Sequence, residues 1–167
     1  GPYGEEGARR HAGRKDSGAR ANYTGPVGAC QLGDRSAQAN AARYEAWNAG
    51  EADAVAARDA ENGESLDLTS GVVLKGRDAI RASAAERIRE FTGSSIANPP
   101  HLIDGHQSAS RWIMTGTHSG DYMGLPATGR SIKVDGASFS EFDDRALITH
   151  VTVYVDVPAF LRQLGLD

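Results

Sequence analysis

The sequence predicts an α+β fold in which helices pack on the concave side of a curved antiparallel sheet that forms a cone. Helical periodicities come first along the chain and strand patterns come last, an order typical of α+β proteins. Three consecutive strand patterns end near Thr117 and cover Ser131 to Phe142 and Leu147 to Asp156. Because short links join them, they predict an antiparallel meander.

Composition limits the classes of protein to consider. A chain of 167 residues can form one domain with a real core. The net charge is −4 without a basic block, which argues against a nucleic-acid partner. No apolar run approaches the roughly 18 residues of a membrane span, and residues 1–6 lack the pattern of a signal peptide. A lone Cys30 excludes an internal disulfide framework, so we expect a cytoplasmic protein.

The N-terminal segment differs from the rest of the chain. Residues 1–35 are rich in Gly, Arg, Ala and Ser and have neither helical nor strand periodicity. Such a segment buries too little apolar surface to offset its ordering entropy. We therefore predict a disordered or extended tail over residues 1–35 and a folded domain over residues 36–167.

The folded domain should begin with a helix from Ser36 to Gly50, with Ser36 as the N-cap. Its apolar face would carry Ala41, Tyr44 and Trp47.

A second helix is predicted from Glu51 to about Glu61, but its face is weak. Arg58 and Asp59 stand where a buried helix needs apolar groups, and Glu64 follows shortly after. Unpaired burial of such charges is costly, so they should be exposed or paired.

A short strand, Ser65 to Ser70, follows, with a turn at Gly71 to Gly76. The clearest helical stripe runs from Arg77 to Phe91. Residues 93–107 predict an edge strand or a broken strand, because two prolines near residue 99 interrupt it.

Two features are predicted near the end of the domain. Gly136 indicates a bulge or bend in its strand. A last helix should cover Ala159 to Leu164, with Asp156 as its cap and Gly165 as its end.

Five segments together resemble the SnoaL-like polyketide cyclase family and its ester-cyclase and ketosteroid-isomerase relatives. They are YEAWNAGE (44–51), TSGVVLKGRDAIR (69–81), WIMTGTHSG (112–120), GLPATGR (124–130) and FLRQLG (160–165). The resemblance runs from about residue 39 to residue 166. It implies a cone like that of nuclear transport factor two, an apolar pocket and a homodimer formed through the sheet. It implies no cofactor, and the fold alone does not fix the chemistry.

Asp67 is the first candidate for chemistry. It shares the polar side of its predicted strand with Ser65 and Thr69, and burial in an apolar cone would make its carboxylate a stronger base. Such a base could remove a proton next to a carbonyl. The resemblance places Asp67 at the proton-shuttling aspartate of ketosteroid isomerases. The alternative is a surface carboxylate, or one bonded to the turn after Thr69.

The resemblance leaves the remaining catalytic sets incomplete. The isomerase tyrosine falls at Arg43, and Tyr44 is one residue, or about 100°, away on a helix. The protonated acid of the isomerases and the histidine of the cyclases both fall at Ser138, and the cyclase aspartate falls at Val153. Serine is a weak donor, so steroid isomerisation is disfavoured. Valine cannot transfer a proton, so the cyclase set is incomplete as well.

His118 is the third candidate catalytic residue beside Asp67 and Ser138, because an imidazole near a pocket mouth could act as acid or base. The alternative is a structural role in the turn that follows. His101 and His106 lack the partners of a metal site, so no metal is predicted. The predicted substrate contacts are Tyr44, Trp47, Trp112, Met114, Tyr122, Val151 and Val153.

Two functions follow from these candidates. The first is an enzyme acting by acid–base chemistry on a small apolar or polycyclic carbonyl compound, like a polyketide cyclase or isomerase, with Asp67 as general base. The alternative is a non-catalytic member of the same fold that binds a ligand or dimerises, which Ser138 and Val153 favour.

Overall fold

A computed structural model describes residues 27–97 and 101–166, with side chains from residue 31 onward. The predicted tail falls largely on residues 1–26 and the interrupting prolines at 99 and 100, and both lie outside the described residues, as does the side chain of Cys30. Within the described ranges the helices are α1 (Val27–Ala49), α2 (Ala52–Ala56), α3 (Arg77–Glu90) and α4 (Val157–Leu164). The strands are β1 (Asp59–Asp67), β2 (Val72–Lys75), β3 (Phe91–Ala97), β4 (Leu102–Asp104), β5 (Gln107–His118), β6 (Ser131–Phe142) and β7 (Ile148–Val155).

The strands form one curved sheet in the order β2-β1-β7-β6-β5-β3, with β4 also on β5. The α+β fold is therefore confirmed, and so is the meander of β5, β6 and β7. The sheet is not wholly antiparallel, because β1 pairs with β7 in parallel. That pairing joins distant parts of the chain, so local patterns did not indicate it.

The edge of the sheet beside β5 is built in two pieces. β3 pairs with residues 113–118 of β5, and β4 pairs with residues 107–109. The interrupted pattern of residues 93–107 therefore corresponds to a broken edge strand, as the sequence predicted.

Helix α1 begins at Val27, earlier than the predicted start at Ser36. Ser36 is not its N-cap: the residue lies inside the helix, is fully buried, and donates its hydroxyl to the carbonyl of Gly105 at 3.1 Å. The face that meets the sheet is polar rather than apolar. Ser36, Asn40, Tyr44 and Asn48 follow the i, i+4 spacing of a helix, and each is hydrogen-bonded to a strand or to the β4–β5 turn.

The segment after α1 differs from the predicted long helix. α2 ends at Ala56, and β1 begins at Asp59. The predicted turn at residues 71–76 contains β2, whose four residues are flanked by Gly71 and Gly76 at φ +74° and +83°. These two glycines allow the left-handed conformation that starts and ends the short strand.

Two helices, α3 and α4, form as predicted. α3 buries Ile80 and Ala84, and Phe91 follows at its C-terminus as a buried residue. In α4 the Asp156 side chain caps the helix by accepting from the Ala159 N–H, and Gly165 ends it at φ +83°.

The hydrophobic core has three parts, which hold the helices at different regions of the sheet. One part joins α4 to β3 and β6, a second joins α1, α2 and α3, and a third lies where β6 meets β7. Their buried members are, in that order, Phe91, Ile132, Val134, Phe160 and Leu164; Ala46, Val55 and Ala84; and Phe142, Ile148 and Val151.

Candidate functional site

A row of four residues crosses the sheet on the face covered by α1. Ser110 of β5 is opposite Ser138 of β6, Ser138 is opposite Val153 of β7, and Val153 is in register with Asp67 of β1. Paired residues on adjacent strands point to the same side of a sheet. The row therefore brings together two predicted catalytic residues, Asp67 and Ser138, with Val153 between them.

Tyr44 reaches this row from α1. Its hydroxyl lies next to the hydroxyls of Ser110 and Ser138, and both act on its pKa. Asn40, one turn earlier on the helix, donates its amide N–H to Ser110 Oγ at 3.1 Å, and the Trp112 indole donates to Ser138 Oγ at 2.8 Å. We call these five residues the Tyr44 cluster. It places hydroxyl donors at the centre of the concave face.

Burial and hydrogen bonding act in opposite directions on Tyr44. Burial raises the pKa of its hydroxyl above the ordinary 10.0, and the bonds from Ser110 and Ser138 oppose that rise. Tyr44 and Ser138 are half-buried, whereas Asn40 and Ser110 are buried. The Tyr44–Ser138 end of the cluster is therefore the more exposed one, and the Asn40–Ser110 end is enclosed.

Asp67 lies at the end of β1, where it is half-buried. Its Oδ1 accepts from the N–H groups of Thr69 and Ser70 at 2.9 and 3.2 Å. One oxygen of Asp67 therefore binds the turn that follows, as the alternative interpretation of this carboxylate expected. Oδ2 has no hydrogen bond to any part of the chain that the structure describes, so it remains available to a ligand. The turn fixes the position of the carboxylate.

The structure corrects the alignment of α1 with the isomerase tyrosine. Tyr44, and not Arg43, contacts Ser138. Arg43 points to the start of β1, where its guanidinium forms an ion pair with Asp59. Tyr44, one residue beyond the position that the resemblance gives to the isomerase tyrosine, therefore lies on the side of α1 that meets the sheet.

Asp59 is the most deeply buried charged group of the described residues, at 0% exposure. Arg43 pairs with its Oδ2, Arg77 donates twice to its backbone carbonyl at 2.7 and 3.0 Å, and Oδ1 has no partner within the described part of the chain. Burial raises the pKa of this carboxyl, and the charge of Arg43 opposes the rise. Asp59 is thus paired, as expected. Arg58 is exposed and Glu64 pairs with Lys75 at 3.2 Å, which also agrees with the expectation.

His118 lies at a separate place, where it is fully buried. Its ring stacks on Phe91 with centroids 5.4 Å apart, its Nδ1 accepts from the Thr128 N–H at 3.3 Å, and Tyr122 lies edge-on at 6.5 Å. It is eight residues beyond Ser110 on β5, or about 26 Å of strand. The contacts described for His118 are with Phe91, Tyr122 and Thr128, and its role as a candidate acid or base stays a prediction.

The predicted substrate contacts divide in the same way. Tyr44, Trp112 and Val153 lie in or beside the row. Met114 and Tyr122 instead pack against the Phe160 part of the core, and Trp47 packs against the α2–α3 part. Val151 is buried at 6% exposure. Met114 shares its side of β5 with Ser110 and Trp112, and Val151 shares its side of β7 with Val153, which packs against the core part that contains Val151.

Sequence reasoning missed Asn40 and Ser110. A signal for Ser110 was present: serines stand at alternate positions 108 and 110 on one strand and 138 and 140 on another. The structure pairs these serines directly across β5 and β6. Asn40 carried no such signal, because its partner Ser110 is 70 residues away.

Two negative findings concern the described residues alone. Within residues 27–97 and 101–166, no group of three His, Cys, Asp or Glu side chains is placed to hold a metal ion. In the same ranges no helix is both long enough and apolar enough to cross a membrane.

Comparison with known proteins identifies the class to which this fold and site belong. The sequence profile of the SnoaL-like polyketide cyclase family matches residues 37–164. The chain belongs to the SnoaL-like polyketide cyclase family. No curated protein sequence matches it.

Solved structures agree with this assignment. A candidate SnoaL-like polyketide cyclase from Jannaschia sp. CCS1 superimposes with a TM-score of 0.74 at 13% identity, over 81% of this chain and 95% of that one. IdmH, a candidate polyketide cyclase from Streptomyces antibioticus, superimposes with a TM-score of 0.67 at 24% identity, over 78% of this chain and 99% of that one. A candidate polyketide cyclase from Xanthomonas campestris pv. campestris superimposes with a TM-score of 0.66 at 25% identity, over 80% of this chain and 98% of that one. These likenesses show the ketosteroid-isomerase-like fold.

Proposed function

We propose that this protein is a cyclase-like enzyme that acts by acid–base chemistry on an apolar carbonyl compound. One observation carries the proposal: a carboxylate with a free oxygen, Asp67, and a hydroxyl cluster around Tyr44 lie on one row of the concave face. Asp67 and Ser138 are two strands apart, a backbone separation of about 10 Å. A small ring system bound over Val153 would span that distance.

The chemistry would divide between the two ends of the row. Asp67 Oδ2 would accept a proton from the carbon next to a substrate carbonyl, and the electrons of the broken C–H bond would move to the carbonyl oxygen. The Tyr44 hydroxyl, supported by Ser138, would donate a hydrogen bond to that oxygen. The resulting enolate carbon would then attack a second carbonyl of the same molecule, whose π electrons move to its own oxygen. That oxygen would take back the proton held by Asp67 as the ring closes.

Family membership supports a cyclase-like role, and three features of the site support an apolar substrate. Val153 separates the base from the donors, the indole of Trp112 lies beside them, and the row carries no cationic side chain. Such a surface favours a flat, largely apolar ligand whose oxygens meet the Tyr44 hydroxyl.

The proposal is tested by turnover of a linear polyketide that carries several carbonyl groups. Asp67→Asn keeps the size of the side chain and removes the base, so the rate should fall about 100-fold or more. Asp135→Asn is the matched control, because it removes the same charge from the opposite face of the sheet. Equal rates for wild type and Asp67→Asn would contradict the proposal.

A second candidate function is ligand binding without turnover. Two observations favour it: valine occupies position 153, where the resemblance expects an acid–base aspartate, and one oxygen of Asp67 is committed to the turn. This function predicts that the chain binds an apolar polyketide and releases it unchanged. Calorimetric binding without product formation would support it.

We also propose a homodimer formed through the outer face of the sheet. Phe139 and Tyr154 form an edge-to-face pair there at 5.7 Å, and they remain 54% and 41% exposed. Exposed paired aromatics are typical of contact surfaces. Sedimentation should give twice the chain mass, and Phe139→Ser should shift the protein toward the monomer.

A further inference from the structure

The Tyr44 cluster has donors of fixed direction at both ends. The Trp112 indole N–H can only donate, and so can the amide nitrogen of Asn40. Asn40 donates to Ser110 Oγ and Trp112 donates to Ser138 Oγ. Each serine oxygen therefore already accepts one hydrogen bond and keeps its own proton to donate.

Tyr44 is the shared neighbour of the two serines. Its hydroxyl lies next to those of Ser110 and Ser138, and both serines favour its ionised form. The tyrosine oxygen can accept from two donors, and its own proton then has to go elsewhere. On the enclosed side, Asn40, Ser110 and Trp112 are only 3%, 5% and 9% exposed. Bulk water therefore has little access to the two end donors.

We propose that Asn40 and Trp112 are positioning residues that make both serine hydroxyls donate to the Tyr44 oxygen, so that the Tyr44 proton points to the ligand. Hydrogen bonding would then run inward from both ends, from Asn40 through Ser110 and from Trp112 through Ser138. Chains of this kind strengthen each member in sequence. Tyr44 becomes a stronger donor to a developing oxyanion than it would be in the same position without the two serines. The role in catalysis rests on the proposed function, whereas the direction of the hydrogen bonds does not.

The direction can be measured without any substrate. The full chain is labelled with ¹³C at the tyrosine Cζ, and Tyr44 is assigned as the signal that Tyr44→Phe removes. Two donors stabilise the tyrosinate, so Trp112→Phe should raise the pKa of Tyr44 by roughly one pH unit. Asn40→Asp should raise it further, because a carboxylate can only accept, and Ser110 must then donate away from Tyr44.

Matched variants separate this role from a purely structural one. Ser108→Ala removes a buried hydroxyl on the same strand that has no partner within the described residues, so the pKa of Tyr44 should not change. Gln38→Glu adds the charge of Asn40→Asp at an exposed position of α1 and should have a much smaller effect. In a Ser138→Ala background, Trp112→Phe should have less than half of its original effect, because the indole acts through that serine.

The inference is overturned if Trp112→Phe has its full effect in the Ser138→Ala background, or if Asn40→Asp shifts Tyr44 no more than Gln38→Glu does. If Trp112→Phe fails to fold, Asn40→Asp is nearly isosteric and carries the test. If the variants shift the pKa of Tyr44 as predicted but Asp67→Asn turns over as fast as wild type, the inference stands and the proposed function is rejected. The opposite pair of results would do the reverse.

Discussion

The indole of Trp112 fills the space beside Gly136, the residue directly opposite it on the neighbouring strand. A Cβ atom at position 136 would stand 2.2 Å from two atoms of the indole ring. The sequence predicted a bulge or a bend at Gly136; the register of β5 and β6 continues through this pair, so there is no bulge. The glycine instead makes the space that lets the indole N–H reach Ser138.

Gly136→Ala should displace the indole and weaken its bond to Ser138. Overpacking of this kind costs about 1–3 kcal/mol of unfolding free energy. Urea unfolding measures the loss, and the fluorescence of Trp112 in a Trp47→Phe background reports the displacement. Gly33→Ala is the control, since its Cβ meets nothing closer than 3.9 Å and should be neutral or stabilising. An unchanged spectrum for Gly136→Ala would contradict the packing described.

Because Asp59 is buried, breaking its ion pair with Arg43 should lower the free energy of unfolding more than breaking an exposed pair does. Arg43→Met leaves the buried Asp59 charge without its partner and should cost about 3 kcal/mol of unfolding free energy. Adding Asp59→Asn removes that charge and should restore a large part of the loss. The exposed pair of Arg111 with Asp135 is the comparison, because breaking it should cost less than about 1 kcal/mol. Additive losses for Arg43→Met and Asp59→Asn would contradict the coupling.

Asp59 also predicts the pH dependence of stability. Its pKa is raised above 3.8 by burial, so the folded state binds the proton more tightly than the unfolded state. Between 3.8 and the folded pKa the native state therefore holds more protons, and rising pH lowers the free energy of unfolding. Relative to Asp59→Asn, the wild type should lose stability across this window and change little above it. If the wild type instead gains stability relative to Asp59→Asn as the pH rises, the charge of Arg43 lowers the pKa of Asp59 by more than burial raises it.

His118 should matter for stability and not for turnover. His118→Gln removes the ring stacked on Phe91 and should lower the melting temperature. Because His118 is about 26 Å of strand away from Ser110, the rate on a substrate should stay within about twofold of wild type. Ser138→Ala should show the reverse: a small change in stability and a clear fall in rate. A large loss of rate in His118→Gln with an unchanged melting temperature would move the site toward Tyr122.

The elements that could be predicted from sequence are those whose residue pattern depends only on neighbouring residues, and not on the element they pack against. The stripe of α3 and the β-branched run of β7 determine their own conformation, and the capping of α4 by Asp156 is local. By contrast, the inward face of α1 is polar because its partners are polar. Asn40 bonds to a serine 70 residues away, and no local pattern contains that information.

The candidate site was partly predictable for the same reason. Asp67 and Ser138 were selected from alternation and resemblance, and the sheet register places them on one face. Tyr44 was judged to be one residue out of position, because sequence spacing does not give the rotation of a helix about its axis. That rotation is fixed by Arg43 on one side and by Asn40 on the other.

The central claim is that Asp67 removes a proton next to a carbonyl while the Tyr44 cluster holds the oxygen. The most direct measurement is deuterium exchange, in D₂O, at the carbon between the two carbonyls of an apolar polycyclic diketone, followed by NMR. Wild type should accelerate the exchange, Asp67→Asn should abolish the acceleration, and Tyr44→Phe should reduce it by about 10-fold or more. Equal acceleration by wild type and Asp67→Asn, with Asp135→Asn also unchanged, would contradict the account.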